Sequence, residues 1–542
     1  MKKIVINIFL ILTLISCEDI LDLTPLDKIS ENAVWNDAAL IQAYLNACYS
    51  AVTPGFKQGM LSSACDETYD IHNASGFYYI QQGALTSDNV NNLTSTLMNI
   101  WKPSYSKIRD INIFFKNIES STINDATKKL TIGEMKFIRA YVYANLIWRY
   151  GGVPIIEGVF ELNDDYTLSR SSYDACVDYI VSDLDDAISL LPAKQTGSNL
   201  GRASGDAARA LKSRVLLYAA SHLNNPNNDL TKWQKAADAA ESLLNTGYSL
   251  NNDYQKTFLG ENSEIIFARY YTQSNYHSMH LYNARNGDHG WGGDVPSHNL
   301  VSDYEMDNGE LPYLDAEQTI VNPASEFNPA NPYINRDPRF YASILYDGAV
   351  WRGRETETYA GGMDSRSSTI EAWNATLTGY YTKKFLQEEL PPTGGSLNST
   401  SPWIFFRYAE ILLNYAEAKF ELGDESTARQ YINLVRSRPG VQMPEVTAGG
   451  TELRAKIQHE RRIELVFEDH RYFDVRRWGI AAETETIDLK KIDIIKNQDG
   501  SKTYTVGTLL DRAFSPQHFL LPIPRTEVDK SKGSLVQNPN YD

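Results

Sequence analysis

The stretch "FRYAEILLNYAEAKFELGDESTARQYINLVRSRPG", residues 406–440, carries helical periodicity on both sides of a short turn at Gly423 and Asp424. Apolar residues recur at three- and four-residue spacing in each half, the signature of two amphipathic helices rather than of strands. Alanines sit where the two would meet, and alanine lets helices approach closely. The unit is therefore a helix, a tight turn and a second helix.

The same grammar recurs upstream. "TIGEMKFIRAYVYANLIWRYGG", residues 131–152, opens with Thr131 and has Glu134 three residues on, the spacing of a capping box. Its apolar residues Ile138, Tyr141, Val142 and Leu146 share a face, and Gly151 and Gly152 supply a left-handed stop. "TKWQKAADAAESLLNTG", residues 231–247, repeats the pattern with Thr231, Gln234, four alanines (Ala236, Ala237, Ala239, Ala240) and Gly247. Between them lie "SSYDACVDYIVSDLDDAISLLP" and "GRASGDAARALKSRVLLYAASH", both helical in period. Paired helices that bury their faces by stacking on neighbours have the local pattern of tetratricopeptide-like repeats, here without a strict ~34-residue recurrence. The interval from about 248 to 400 breaks the pattern. It is rich in Gly, Pro, Asn and Tyr, as in "GDHGWGGDVPSHNL" and "NPASEFNPANPYINRDPRF", and predicts loops and short strands rather than helix. Loops of that length in a compact protein usually serve function or are disordered, and the aromatic content favours function. The fold class predicted is mainly α, with tetratricopeptide-like helix pairs and a large loop-rich region.

The 542-residue chain carries a net charge of −17 and no basic run, which excludes a nucleic-acid partner that would need clustered Lys and Arg. Its 33 tyrosines outnumber 19 phenylalanines and 9 tryptophans together. Many of these fill helix interfaces, but tyrosine also suits a wet binding face. At the N-terminus, Lys2 and Lys3 precede an apolar run from Ile4 to Ile15, the layout of a secretory signal. Twelve helical residues reach only ~18 Å, short of the ~30 Å hydrocarbon core of a bilayer, so the segment is cut rather than spanning. Leu14-Ile15-Ser16-Cys17 looks like a bacterial lipobox, which would make Cys17 the lipidated N-terminus and a membrane anchor. Glu18 and Asp19 after it resemble the export signal that sends lipoproteins of Bacteroidetes to the outer face of the outer membrane. Cys48, Cys65 and Cys176 remain, with no CxxC spacing; a Cys48 to Cys65 bridge is open, and no zinc site is indicated.

Catalytic signatures are weak. Glu460, Glu464 and Glu468 recur at four-residue spacing on one helical stripe, and paired carboxylates hydrolyse glycosides. Arg461, Arg462, Arg471, Arg476 and Arg477 crowd the same stretch and favour ionised carboxylates, whereas a general acid needs a raised pKa, so a structural ion-pair role is the better reading. Of His277, His280 and His289, the first two in "HSMH" would stand one helical turn apart, but no carboxylate or cysteine follows at an established ligand spacing and the neighbourhood reads as loop, so no metal is assigned and no cofactor is implied. Neither a GxSxG elbow nor a Walker loop occurs.

Seven segments together resemble the SusD/RagB family of outer-membrane nutrient-binding lipoproteins. The strongest is "IQHERRIELVFEDHRYFDVRRWG", residues 457–479, supported by "FRYAEILLNYAEAKFELGD" before it and by "LPIPRTEV" and "QNPNYD" after it. "CEDILDLTP", "EMKFIRAYVYANLIWRYGGVPII" and "RDPRFYASILYDG" fit in the expected order. The resemblance implies a signal peptide over 1–16, a lipidated tether over 17–30 and a single domain over 31–542. Within that domain it implies a helical scaffold at about 100–247 and 401–480 and a ligand region at about 62–99 and 248–400. It further implies capture of an oligosaccharide, or in some branches a peptide, and delivery without chemistry to a SusC-like TonB-dependent transporter in the outer membrane of a Gram-negative cell. No ligand residue carries over by motif. Aromatic residues flanked by hydrogen-bonding groups mark three clusters: Asp66, Tyr69, Asp70, His72 and Asn73; Tyr282, His289 and Trp291; and Trp351 and Arg352, with Trp373 further on. Trp101, at the start of a helix-like run, is assigned to the core. The readings that compete with glycan capture are a peptide binder, a surface glycan-degrading enzyme and a purely structural helical-repeat scaffold.

Overall fold

The computed structural model describes residues 34–161, 163–164, 167–390 and 398–541, so the leader, Cys17 and the tether lie outside the described residues. Six of the helices begin where a short polar side chain satisfies free backbone N–H groups. Asp37 caps α1 (Ala38–Cys48), and α2 (Trp101–Ile118) begins at Trp101, which is buried against Tyr150. Asn124 caps α3 (Asp125–Tyr150), which Gly151 ends at φ 75°. Ser172, Ser204 and Asp229 cap α4 (Tyr173–Leu190), α5 (Gly205–Ala220) and α6 (Leu230–Glu241). Then α7 (Tyr408–Glu421) is followed after Gly423 by α8 (Glu425–Arg436), whose cap is Asp424. Last come α9 (Gly450–Glu464) and α10 (Arg471–Arg477).

Two expected helix starts are corrected. Thr131 is not a cap but lies inside α3, where its hydroxyl donates to the Lys128 carbonyl at 3.0 Å. The added first turns are polar and largely exposed, so apolar periodicity does not reveal them. Likewise Thr231 is the second residue of α6, its N–H donating to the Asp229 carboxylate at 2.9 Å.

The helices stack in sequence, α3 on α4, α4 on α5, α5 on α6. After the loop-rich interval the chain returns, and α7 packs on α6 with α8 on its far side, so the last pair extends the same stack. Buried Ala236, Ala237 and Ala240 permit the close approach on α6. The contact with α5 is polar as well: Arg214 forms a two-pronged pair with Glu410 at 2.7 Å, and Asn414 donates to the Ser213 hydroxyl at 3.1 Å.

The segment 457–479 clamps this stack to the loops. Glu460 accepts from Arg339 and, at 2.9 Å, from Arg436; Glu464 accepts from Arg407 at 2.7 Å and Arg339 at 3.0 Å. Glu468 lies beyond the end of α9 rather than on its stripe, yet pairs with the same Arg407 and with Lys384 at 2.7 Å. All three carboxylates are buried, and Arg477 ties α10 to Glu417 of α7. Burial would raise these glutamates, but the arginines prevail and hold all three below the ordinary range, Glu464 at about 2.

Short strands complete the loop region. β1 (Thr68–Asp70) pairs antiparallel with β3 (Asp294–Pro296), and β2 (Ile265–Arg269) with β4 (Trp403–Arg407) at the scaffold edge. One-turn helices at Met279–Asn283, His298–Asp303 and Pro338–Ser343 correct the expectation of loop and strand alone. A hairpin of β5 (Leu489–Lys496) and β6 (Lys502–Leu510) projects near the C-terminus. Cys48, Cys65 and Cys176 are free and buried, so Cys48 and Cys65 do not pair. Among the described residues no helix is long and apolar enough to cross a membrane.

Candidate functional site

Pairing of β1 with β3 brings residues 66–79 beside residues 282–296, with Asp70 directly opposite Asp294. The ladder runs one step further, Ile71 N–H to the Gly293 carbonyl at 2.9 Å, before the chain turns. Asp70 builds that turn: its carboxylate accepts from the His72 and Ser75 N–H groups and the Ser75 hydroxyl, at 3.0 to 3.2 Å. Asn73 takes the left-handed conformation at the exposed tip.

The turn aims His72 across the gap. Its Nε2 lies 2.9 Å from the Trp291 carbonyl, and its ring meets Trp373 edge-on at 5.9 Å between centroids. Trp373, in the one-turn helix Ala372–Asn374, is 64% exposed. Trp291 in turn packs against Tyr282 at 5.5 Å. Gly292 makes the join possible. Its φ is +52°, and a Cβ there would lie 2.4 Å from the Asn374 carbonyl oxygen.

Beside these rings opens a shallow cleft of about 560 Å³ lined by Asp288, His289, Arg352, Arg354 and Glu388. His289 Nδ1 stands 3.5 Å from Glu371, whose other oxygen accepts from Asn374 at 3.1 Å, so the cleft and the Trp373 turn share a wall. Arg352 donates its backbone N–H to Glu388 at 2.8 Å and sets Nη1 3.1 Å from His280 Nε2. Burial, then the Arg352 charge, pushes His280 down to about 4, leaving it a neutral acceptor. Arg354 is fixed by Asp288 at 2.9 Å and Asp364 at 2.7 Å.

His72, Asn73, Tyr282, His289, Trp291, Arg352 and Trp373 thus gather on one face. Asp66 and Trp351 do not, which corrects their assignment. Asp66 is buried, accepting from Arg462 and, at 2.9 and 3.0 Å, from Arg471; burial would raise its pKa, but those arginines carry it well below the ordinary range. Trp351 is 1% exposed, with Arg285 donating to its carbonyl at 3.0 Å. Asp70 is buried as a turn-former, and Tyr69 is half-buried at the margin. Glu371 and Glu388 stand on this face outside the three clusters. Glu371 lies two residues before Trp373 in "IEAWN", so the rule that selects the other clusters reaches it, whereas Asn374 is fully buried and only braces Glu371.

The arrangement offers aromatic faces framed by donors and acceptors, a combination that stacks on and hydrogen-bonds a ligand. The carboxyl beneath it, Asp294, is sealed; burial and then Asp70 push it up to about 8. His277 is elsewhere, stacked on Phe56 at 4.3 Å. Among the described residues no group of three or more His, Cys, Asp or Glu could hold a metal ion.

Comparison with known proteins places the chain. A family model described as the SusD family matches residues 263–541, and one described as "Starch-binding associating with outer membrane" matches residues 20–217. SusD-like protein P25 of Formosa agariphila is 24% identical over 97% of this chain and 96% of its own. The crystal structure of a SusD-like protein from Bacteroides fragilis superimposes with a TM-score of 0.81 at 29% identity, covering 95% of this chain and all of the other. A second structure from that organism, titled a SusD-like carbohydrate binding protein, gives 0.77 at 24% identity over 93% of this chain and 99% of its own.

Proposed function

The chain belongs to the SusD family, and on that premise we propose that it captures an oligosaccharide at the His72–Trp291–Trp373 face and hands it on without chemistry. The observation that carries this reading is Trp373: a tryptophan 64% exposed, braced edge-on by His72, beside a polar cleft. A sugar ring presents an apolar face that an indole covers and hydroxyls that His289, Arg352, Glu371 and Glu388 reach. The carbohydrate-binding title of one structural relative and the starch-binding, outer-membrane description of the matched model support the ligand class and the location.

The proposed route is that of the family resembled. Cys17, outside the described residues, would carry the lipid that holds the protein on the outer face of the outer membrane. The recipient would be a SusC-like TonB-dependent barrel. The absence of a chemical step is supported by Glu460, Glu464 and Glu468, the carboxylates whose four-residue spacing suggests glycoside hydrolysis, which are buried and held ionised by arginine, the opposite of what a general acid needs.

Calorimetric titration of the fragment 18–542 with plant, microbial and host glycans and mixed peptides, followed by chromatography of each mixture, tests the reading. Saturable binding of one glycan class with no new products supports it. Products, peptide binding alone, or silence across the panel overturn it.

A further inference from the structure

The cleft beside Trp373 holds an arginine whose charge no carboxylate pairs with. Its neighbours are paired. Arg285 donates Nε and Nη2 to one Asp288 oxygen, at 2.9 and 2.7 Å, while Arg354 takes the other Asp288 oxygen at 2.9 Å and both Asp364 oxygens at 2.7 Å. Two arginines thus face two aspartates, and the set closes as neutral. Arg352 lines the same cleft and is left out of it. Among the described residues its one side-chain hydrogen bond runs from Nη1 to His280 Nε2 at 3.1 Å. His280 is a neutral acceptor, pushed down to about 4 by burial and then by Arg352 itself. A neutral acceptor orients a guanidinium without cancelling its charge.

The turn that carries Arg352 fixes its position. Val350 and Trp351 pair with Glu355 and Arg354, so Arg352 and Gly353 form a two-residue turn, with φ of +55° and +74°. Positive φ at both positions suits Asn, Asp or Gly rather than a long side chain. Residues held there against their preference cluster at functional sites. Glu388 steadies the turn by accepting the Arg352 backbone N–H at 2.8 Å, yet forms no ion pair with the guanidinium. One edge of the fork is left over. Nε and Nη2 have no partner among the described residues and are not buried, although Arg352 as a whole is only partly exposed. That edge is the one Arg285 presents to Asp288, and its two parallel donors match the two oxygens of a carboxylate.

A second cation lies at the other end of the face. Arg366 donates to the carbonyls of Ala372 and Trp373, at 3.2 and 2.9 Å, so it too is held by neutral acceptors. The rim carboxylates Glu388 and Glu389 set a limit, because they repel a chain that is densely charged.

Resting on glycan capture at this face, we propose that the captured glycan is acidic: a uronate carboxylate docks on the Nε–Nη2 edge of Arg352 while another ring of the same chain covers Trp373. Isolated carboxylates, rather than a run of sulfates, fit a rim that carries Glu388 and Glu389.

The test is calorimetry of the fragment 18–542 with oligogalacturonate, glucuronoxylan and alginate oligosaccharides, the carboxyl-reduced counterpart of each, and a sulfated carrageenan oligosaccharide. At least one acidic oligosaccharide should bind about tenfold or more tightly than its reduced counterpart, the scale of a hydrogen-bonded charge, and the preference should shrink as salt is raised. Arg352→Gln should bring the two affinities to within about twofold, and Arg352→Lys, which keeps the charge but not the fork, should fall between. If Arg352→Gln does not fold, the wild-type comparison and its salt dependence decide. Equal affinity for acidic and reduced forms, or binding of neutral glycans alone, would overturn the acidic assignment and leave glycan capture standing; silence across all glycans would overturn both. Tightest binding of the carrageenan, or an acid preference unchanged in Arg352→Gln, would also overturn it.

Discussion

His72 and Trp291, 219 positions apart in sequence, are joined by a 2.9 Å contact from the imidazole Nε2 to the backbone carbonyl. The contact closes the end of the β1–β3 ladder and sets the imidazole edge against Trp373. A side chain from one loop thereby orients the exposed ring of another.

Replacing His72 by Ala should therefore lower glycan affinity by more than it lowers stability. Loss of one ordinary hydrogen bond is worth ~1 kcal/mol, a few degrees at most in a chain of this size. Calorimetry and thermal melting of the variant check the split; equal affinity would mean that His72 does not position Trp373.

Glu464→Gln should be strongly destabilising without touching the binding face. The change leaves Arg407, Arg339 and Arg438, all buried, short of a counter-charge, and breaking such a network typically costs ~3–5 kcal/mol. Denaturant unfolding measures this. A loss below about 1 kcal/mol, the size expected of a solvent-exposed pair, would refute the clamp role of segment 457–479.

Asp294 supplies a pH dependence whose sign is fixed. Its carboxyl is raised from 3.8 to about 8, by burial and then by Asp70. Between those values the folded chain holds a proton that the unfolded chain has released. The stabilisation is complete below the ordinary value, falls by ~1.4 kcal/mol per pH unit as pH rises, and levels off above 8. Asp294→Asn mimics the protonated form, so the stability difference between wild type and variant should tilt across this window and be flat outside it. A difference independent of pH between 4 and 8 would show that Asp294 is ionised in the fold.

Cys17→Ala should release the protein from the outer-membrane fraction, and neutralising Glu18 and Asp19 should strand it on the inner leaflet. Fractionation and surface-protease accessibility read these outcomes. Retention of the Cys17 variant with no partner present, or unchanged accessibility, would contradict the anchor and the export signal respectively.

The helix pairs were legible because helical periodicity and small-residue content are local properties. Their starts were less so: Asn124 opens α3 ahead of two polar turns, which periodicity cannot see. The docking of α7 on α6 joins residues some 170 positions apart, and nothing local to either helix encodes it. The binding face divides in the same way. His72, Trp291 and Trp373 were found from aromatic residues flanked by hydrogen-bonding groups. Asp66 and Trp351 satisfy the same local rule, yet Arg462 and Arg471 bury the first and Arg285 anchors the second. Whether an aromatic or a carboxylate faces solvent is decided by partners 66 to 405 positions away, which composition cannot name.

The central claim rests on Trp373. Calorimetric titration of the wild-type 18–542 fragment and of Trp373→Ala with the glycan that binds best should show affinity falling by roughly thirtyfold or more, as for a stacking residue that dominates a site, with unchanged thermal stability. Equal affinity in the two proteins would contradict the account and move the ligand away from this face.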